Sequence, residues 1–462
     1  MGWGSDVKIE NNLDTDDIRQ LVWRLALPSM LAQFVSVLYS IVDRMYIGNI
    51  PEIGDAALAG VGICGPIVTL ISSVAFLVGI GGSPLISIRL GEKNERAARQ
   101  ILANCFLLLG VLAVAITILS LLMKNHLLMW FGASEGTFGY ANQYITIYLC
   151  GTLFALMSTG MNQFIICQGF AKIGMKSVII GAVCNIILDP VFIFAFHMGV
   201  RGAAVATVLS QQATATYVLR FLFSDRVPIK ITFKEYDWGI MRRVLQIGMT
   251  PFTIIAFDNI LIISLNMVIQ KHGGAQRGDM LLTCMTIVQS FMLMVTMPLG
   301  GITSGTQTIL GYNYGAKRPD RIKKAEKHIF LLGLLFTTVM FIIAQTAPQF
   351  FVRIFTKDEG YIRLTVWAIR IYTLGIIPLS LQYTVIDGLT GMGISKVAIT
   401  LSMFRKLIFF AGVFIIPVVW DITYVFYTEP VSDVIAAIVS GTTYALLFER
   451  LVGRAKEKEM YT

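Results

Sequence analysis

From residue 25 onward, long apolar runs alternate with short polar connections, twelve times over. The runs fall at 25–47, 57–88, 100–123, 139–165, 177–197, 203–220, 248–270, 280–311, 328–351, 364–388, 397–420 and 430–448. A bilayer core of about 30 Å takes roughly 20 helical residues to cross. Each run is close to or beyond that length, so the pattern predicts an all-α integral membrane protein with twelve transmembrane helices. Composition points the same way: only 14% of residues are charged, against about 25% in a soluble domain. The 462 residues leave no room between the runs for a soluble domain.

Laid over itself with a shift of 224 residues, the chain brings several features into register. "RLGEKNERAAR" at 89–99 lies over "NYGAKRPDRIK" at 313–323, setting Gly91 on Gly315. The same shift sets Tyr148 on Tyr372, Gly151 on Gly375, Gly169 on Gly393 and Lys172 on Lys396, and a shift of 223 sets Pro28 on Pro251. One offset serving the whole of each half predicts two pseudo-symmetric six-helix bundles. The expected division is an N-terminal segment 1–24, a first lobe 25–220, a basic linker 221–247, a second lobe 248–450 and a tail 451–462. Six spans per half return the chain to its starting side, so the repeats are parallel. Secondary transporters are commonly built this way, with substrate held near the repeat interface.

The net charge of +9 raises the question of nucleic acid, and its distribution answers it. Connections expected on the side of the N-terminus carry 26 of the 37 Lys and Arg, and the opposite connections carry seven. That asymmetry is topological and places both termini in the cytoplasm by the positive-inside rule; no nucleic-acid role is expected. Six cysteines lie in or beside apolar runs with no C-x-x-C pair, four histidines are scattered, and no nucleophile–base set falls within the spans. These features argue against disulfides, a metal centre, an enzyme and a cofactor. The Gly-rich "GIGGSP" (79–84) and "GGITSG" (300–305) lack the strand and the Gly-Lys-Ser/Thr of a phosphate loop.

A carboxylate at the bilayer centre costs about 2.5–3.5 kcal/mol on insertion scales and marks a candidate functional site. Asp43, Asp189, Asp258 and Asp387 sit inside apolar runs, with Glu429 and Asp433 near the start of the last. Counted at about 1.5 Å per residue, Asp43 and Asp189 reach compatible depths in the outer half of the first lobe. Asn185 precedes Asp189 by four residues and shares its face. Pro190 has no N–H to bond the carbonyl of Ile186. A carboxylate, an amide and a loosened carbonyl are hard oxygen donors suited to Na+, and the carboxylates suit H+ equally.

These residues resemble a known family. "VDRMYIGN" with "DAALAGVGICGPI", and "CNIILDPVFIF" with "GVRGAAVAT", look like helices 1 and 5–6 of a MATE (multidrug and toxic compound extrusion) transporter. "LSMFRKL" and "EPVSDVIA" resemble its helices 11 and 12, so the likeness spans about residues 20–450. It implies two lobes around a cleft, exporting organic cations in exchange for Na+ or H+ across the plasma membrane, with no further cofactor and as a monomer in the lipid bilayer. Carried over by motif, the coupling site comprises Asp43, Asn185, Asp189, Ala203 and Thr207. The second lobe departs from a simple duplication, since Asp43 aligns with Asn266 and Asp387 with Gln163. Asp258, Asp387 and Arg405 form a candidate second-lobe site, or the acids balance Arg370 and Arg405. Phe154, Met157, Met161, Phe291 and Tyr383 are candidates for a soft, aromatic cleft lining. The competing reading is a lipid-linked oligosaccharide exporter or flippase of the same broad superfamily, which calls for a cationic cleft.

Overall fold

A computed structural model describes residues 11–457, save 132 and 134. Residues 1–10 of the expected N-terminal segment and 458–462 of the expected tail lie outside the described residues. The architecture is all-helical. The crossing elements are α1 (Ile18–Gly48), α2 (Ala57–Gly91), α3 (Glu95–Trp130), α4 (Gly136–Cys150 with Thr152–Ile166), α5 (Ala171–Ala195) and α6 (Val200–Phe223). The second half contributes α7 (Trp238–Gly273), α8 (Met280–Gly315), α9 (Pro319–Thr346), α10 (Glu359–Gly391), α11 (Ser395–Val419) and α12 (Ile422–Phe448). All but α6 are long and apolar enough to span a membrane, counting the bent α4 as one element. Helix α6 is interrupted by Arg201, Ser210, Gln211, Gln212 and Thr214, and it packs against α4 and α5 within its lobe.

Several helices outrun their apolar stretches, because hydropathy marks the length in lipid rather than the length of helix. Helix α1 starts at Ile18, where Asp17 caps it by accepting from the amides of Arg19 at 3.0 Å and Gln20 at 3.2 Å. Helix α9 starts at Pro319, a residue preset for the first helical turn, and carries Lys323, Lys324, Glu326 and Lys327 within the helix. The last helix continues to Glu457.

The internal repeat is visible in the breaks. Helix α4 bends by 58° at Gly151, and α10 tightens into a 3-10 turn over Thr373–Gly375. A Cβ on Gly151 would meet Val208 of α6 at 2.5 Å, and one on Gly375 would meet Asp433 of α12 at 2.7 Å. In each half, the missing side chain lets the sixth helix cross the fourth.

The halves meet on the side that carries the N-terminus, through close backbone approaches as well as packed side chains. A Cβ on Gly91 would strike the Tyr312 carbonyl, and one on Gly315 would strike the Ile88 carbonyl. Deeper along the seam, Gly81 faces the Val244 carbonyl and Gly248 the Leu77 carbonyl, while Gly305 faces Ser29. Residues 11–16 strap across this seam. Asn11 donates to the Gly169 carbonyl at 2.8 Å, while Arg321 donates to the carbonyls of Leu13 at 3.2 Å and Asp16 at 3.0 Å. The expected linker is no free tether either. Val227, Ile229 and Ile231 alternate into the first half's apolar core, and Asn104 holds the backbone of Glu235 and Asp237.

Candidate functional site

Helices α1, α5 and α6 bring together the residues singled out in the first half. Asp43 on α1 and Asp189 on α5 lie close enough to interact, and two carboxylates so placed repel each other unless they share a proton or a cation. Asn185 Nδ2 donates to Asp189 Oδ1 at 3.2 Å. Asp43 Oδ1, Asn185 Oδ1 and Asp189 Oδ2 are buried and have no hydrogen-bond partner among the described residues. Arg44, next in sequence, is exposed and does not pair with Asp43. Three buried oxygens without donors fit a small hard cation or a proton.

The backbone around Pro190 supports this arrangement. Helix α5 runs in α form to Pro190 and then opens into a π turn over Val191–Ala195, a distortion frequent at functional sites. Helix α6 presses on that turn at Gly202, where a Cβ would stand 2.6 Å from the Phe192 carbonyl carbon. Ala203, fully buried, follows at once, and Thr207 lies one turn further along.

Sequence reasoning missed the wall opposite. Tyr144 of α4 lies beside Thr207 and close enough to feel the charge of Asp43. Tyr148, stacked on Tyr144 at 6.3 Å between ring centroids, contacts Ser72 and Gln211. Gln211 Oε1 is a further buried acceptor without a partner among the described residues. The available signal was polar spacing: Thr207 and Gln211 lie one turn apart on α6, as Tyr144 and Tyr148 do on α4.

In the second half, Asp258, Asp387 and Arg405 do not join directly. Asp258 pairs with Lys406, a buried lysine that sequence reasoning overlooked. Arg405 pairs with Glu429 at 3.2 Å and with Asp433. Asp387 accepts from Gln307 Nε2 at 3.1 Å and from Thr303 Oγ1. Arg370 is exposed and balances neither acid. What unites the groups is Tyr383, which lies within electrostatic reach of Arg405, Asp258, Asp387 and Asp433.

The five candidate cleft residues are dispersed between core and partly exposed positions. Met157 and Met161 are buried in the first half's core, and Phe291 packs edge-on against Phe351 in the second. An apolar side chain carries no sign of its direction when both lipid and core are apolar. Phe154 and Tyr383 remain partly exposed.

The family model MatE matches residues 28–191 and again 255–415, well over half the chain and once in each half. The protein belongs to the MatE family. Among curated proteins, this transporter is 22% identical to the multidrug export protein MepA of Staphylococcus saprophyticus, over 92% of this chain and 93% of that one. It is 21% identical to MepA of Staphylococcus aureus, with the same coverage. Among solved structures, the transporter superposes on an outward-facing multidrug resistance MATE family transporter of the MOP superfamily with TM-score 0.87. That pair shares 22% identity, covering 96% of this chain and 98% of the other. It also superposes on a MOP superfamily transporter from Pyrococcus furiosus, for which a binding pocket of reverse polarity suggests a different function. The TM-score there is 0.88 and the identity 23%, over 97% and 99% of the two chains.

Proposed function

We propose that the transporter is a secondary multidrug exporter that moves organic cations outward in exchange for Na+ or H+. The observation that carries this reading is the approach of Asp43 and Asp189, with an oxygen of each and Oδ1 of Asn185 buried without a hydrogen-bond partner among the described residues. An ion entering there is held by carboxylates on two helices and draws α1 toward α5; α6, in backbone contact with the π turn through Gly202, moves with them. Both termini face the cytoplasm of the plasma membrane by the charge asymmetry of the loops, so the backbone seam closes the cytoplasmic side and the chain stands outward-facing. The transporter acts as a monomer. Kinship with the MepA exporters supports the multidrug substrate range.

The competing lipid-linked oligosaccharide exporter needs unpaired cations for a pyrophosphate. Arg405 and Lys406, buried in the second lobe, are each engaged by carboxylates, which favours the exporter of cations. The test is uptake of a fluorescent organic cation into liposomes under separately imposed Na+ and pH gradients, comparing wild type with Asp189→Asn. One gradient should drive transport and the substitution should uncouple it. Full coupling in a folded Asp189→Asn protein overturns the assignment.

A further inference from the structure

We propose that the second half binds the headgroup of an aminophospholipid, phosphatidylethanolamine being the representative, in a cavity that the coupling site does not use. The cavity, about 400 Å³, lies between the start of α9, the later part of α10 and the end of α12, with Lys323, Glu326, Lys327, Phe330, Tyr444 and Phe448 on its walls.

Glu326 is the anomaly that marks the site. It is 7% exposed, and its Oε1 has no hydrogen-bond partner among the described residues. Space for the carboxyl group is made by Gly388, where a Cβ would stand 2.6 Å from Oε1. The Tyr444 hydroxyl is likewise buried without a partner. A carboxylate and a phenol oxygen, both lacking a donor, call for a ligand with several N–H groups. The rings of Tyr444 and Phe448, 5.0 Å apart, add faces that favour a cation.

The mouth has the opposite sign. Lys323 and Lys327 are exposed, one helical turn apart on α9, and Lys323 Nζ stands 5.3 Å from the centre of the Phe448 ring. Two ammonium groups at the entrance disfavour a simple organic cation but suit a phosphodiester. Glu326 lies seven residues into α9, about 10 Å from its start, at headgroup rather than hydrocarbon depth. Positive at the rim and negative within, the cavity matches a phosphate followed by a primary ammonium. A choline headgroup has no N–H and would leave both acceptors unpaired; a glycerol headgroup would leave the carboxylate without a counter-charge.

The test is native mass spectrometry of the purified full-length protein, titrated with phosphatidylethanolamine, phosphatidylcholine and phosphatidylglycerol of one chain length. Wild type should retain the ethanolamine lipid about tenfold more tightly than the choline lipid, the size of one charge-assisted hydrogen bond. Glu326→Gln should reduce that preference to about twofold or less, and Tyr444→Phe should reduce it in part. If Glu326→Gln fails to fold, Tyr444→Phe decides. Equal retention of the two zwitterionic lipids by wild type overturns the proposal, as does a preference untouched by both substitutions. So does tightest binding of phosphatidylglycerol, which would mark a plain anion site. Displacement of the ethanolamine lipid by tetraphenylphosphonium would mark a drug site and overturn it as well.

Discussion

Replacing Arg405 with leucine isolates the electrostatics of the second half. The Arg405 side chain is 11% exposed and bridges Glu429, 12% exposed, and Asp433, fully buried. The Tyr372 hydroxyl donates to the other oxygen of Glu429 at 3.5 Å. Without the guanidinium, two carboxylates one turn apart on α12 face each other with no cation between them. Removing one partner of a buried pair costs about 3–5 kcal/mol, whereas replacing all members with neutral groups of similar size is often neutral or stabilising. With a lobe as the unfolding unit, at roughly 2–4 °C per kcal/mol, Arg405→Leu should lower the melting temperature by about 6–20 °C. Adding Glu429→Gln and Asp433→Asn to the same protein should recover most of the loss. Fluorescence-detected size exclusion after heating reads both effects. A single variant as stable as wild type, or a triple variant no better than the single, would refute the assignment of Arg405 as the cation of a buried cluster.

Four further outcomes follow from the geometry. Tyr144→Phe, which takes a hydroxyl from Thr207, should weaken coupling-ion binding by about three- to tenfold, measured as the ion concentration giving half-maximal transport. Bulk at the seam, as in Gly315→Leu, should push α8 off the Ile88 carbonyl and lengthen the distance between spin labels at positions 92 and 320; an unchanged distance would mean the lobes do not close there. Arg321→Ala should release residues 11–16, seen as faster amide exchange in that segment and nowhere else. On the opposite side, hydrogen bonds from the Thr423 side chain and backbone, with Arg277 beside them, hold Asp421 down to about 2 from its ordinary 3.8. A depressed carboxyl stabilises above its unfolded pKa and loses that contribution as pH falls through the folded one, so amide exchange near Arg277 should rise only below about pH 4.

Much of this architecture was legible in the chain. Apolar run length gave away the spans, and a single offset exposed the duplication, because each bend glycine must recur where the sixth helix crosses the fourth. Counting residues from the helix entry points was enough to bring Asp43 and Asp189 to one depth. The partners of charged groups were harder to read. "FRKL" offered Arg405 and Lys406 side by side, and adjacent helical residues point about 100° apart, so one serves α12 and the other α7. Tyr144 and Tyr148 hid among apolar neighbours because an aromatic ring in a lipid-facing run looks the same whether its hydroxyl is used or not. The strap at residues 11–16 carried no hydropathy signal, since its bonds run to backbone carbonyls.

The π turn at Val191–Ala195 amounts to one surplus residue stored in the helix, since each of its hydrogen bonds spans five residues instead of four. The turn closes the helix, since the chain leaves helical form at Phe196, so the slack link sits at the end of the rod. Drawing the surplus back into the rod would turn the side chains it passes by roughly 100°. Asp189 sits immediately ahead of the link, and the close backbone contact at Gly202 registers any such shift. A carboxylate beside a helix end that can take up or give back one residue is easier to turn than one fixed in mid-helix.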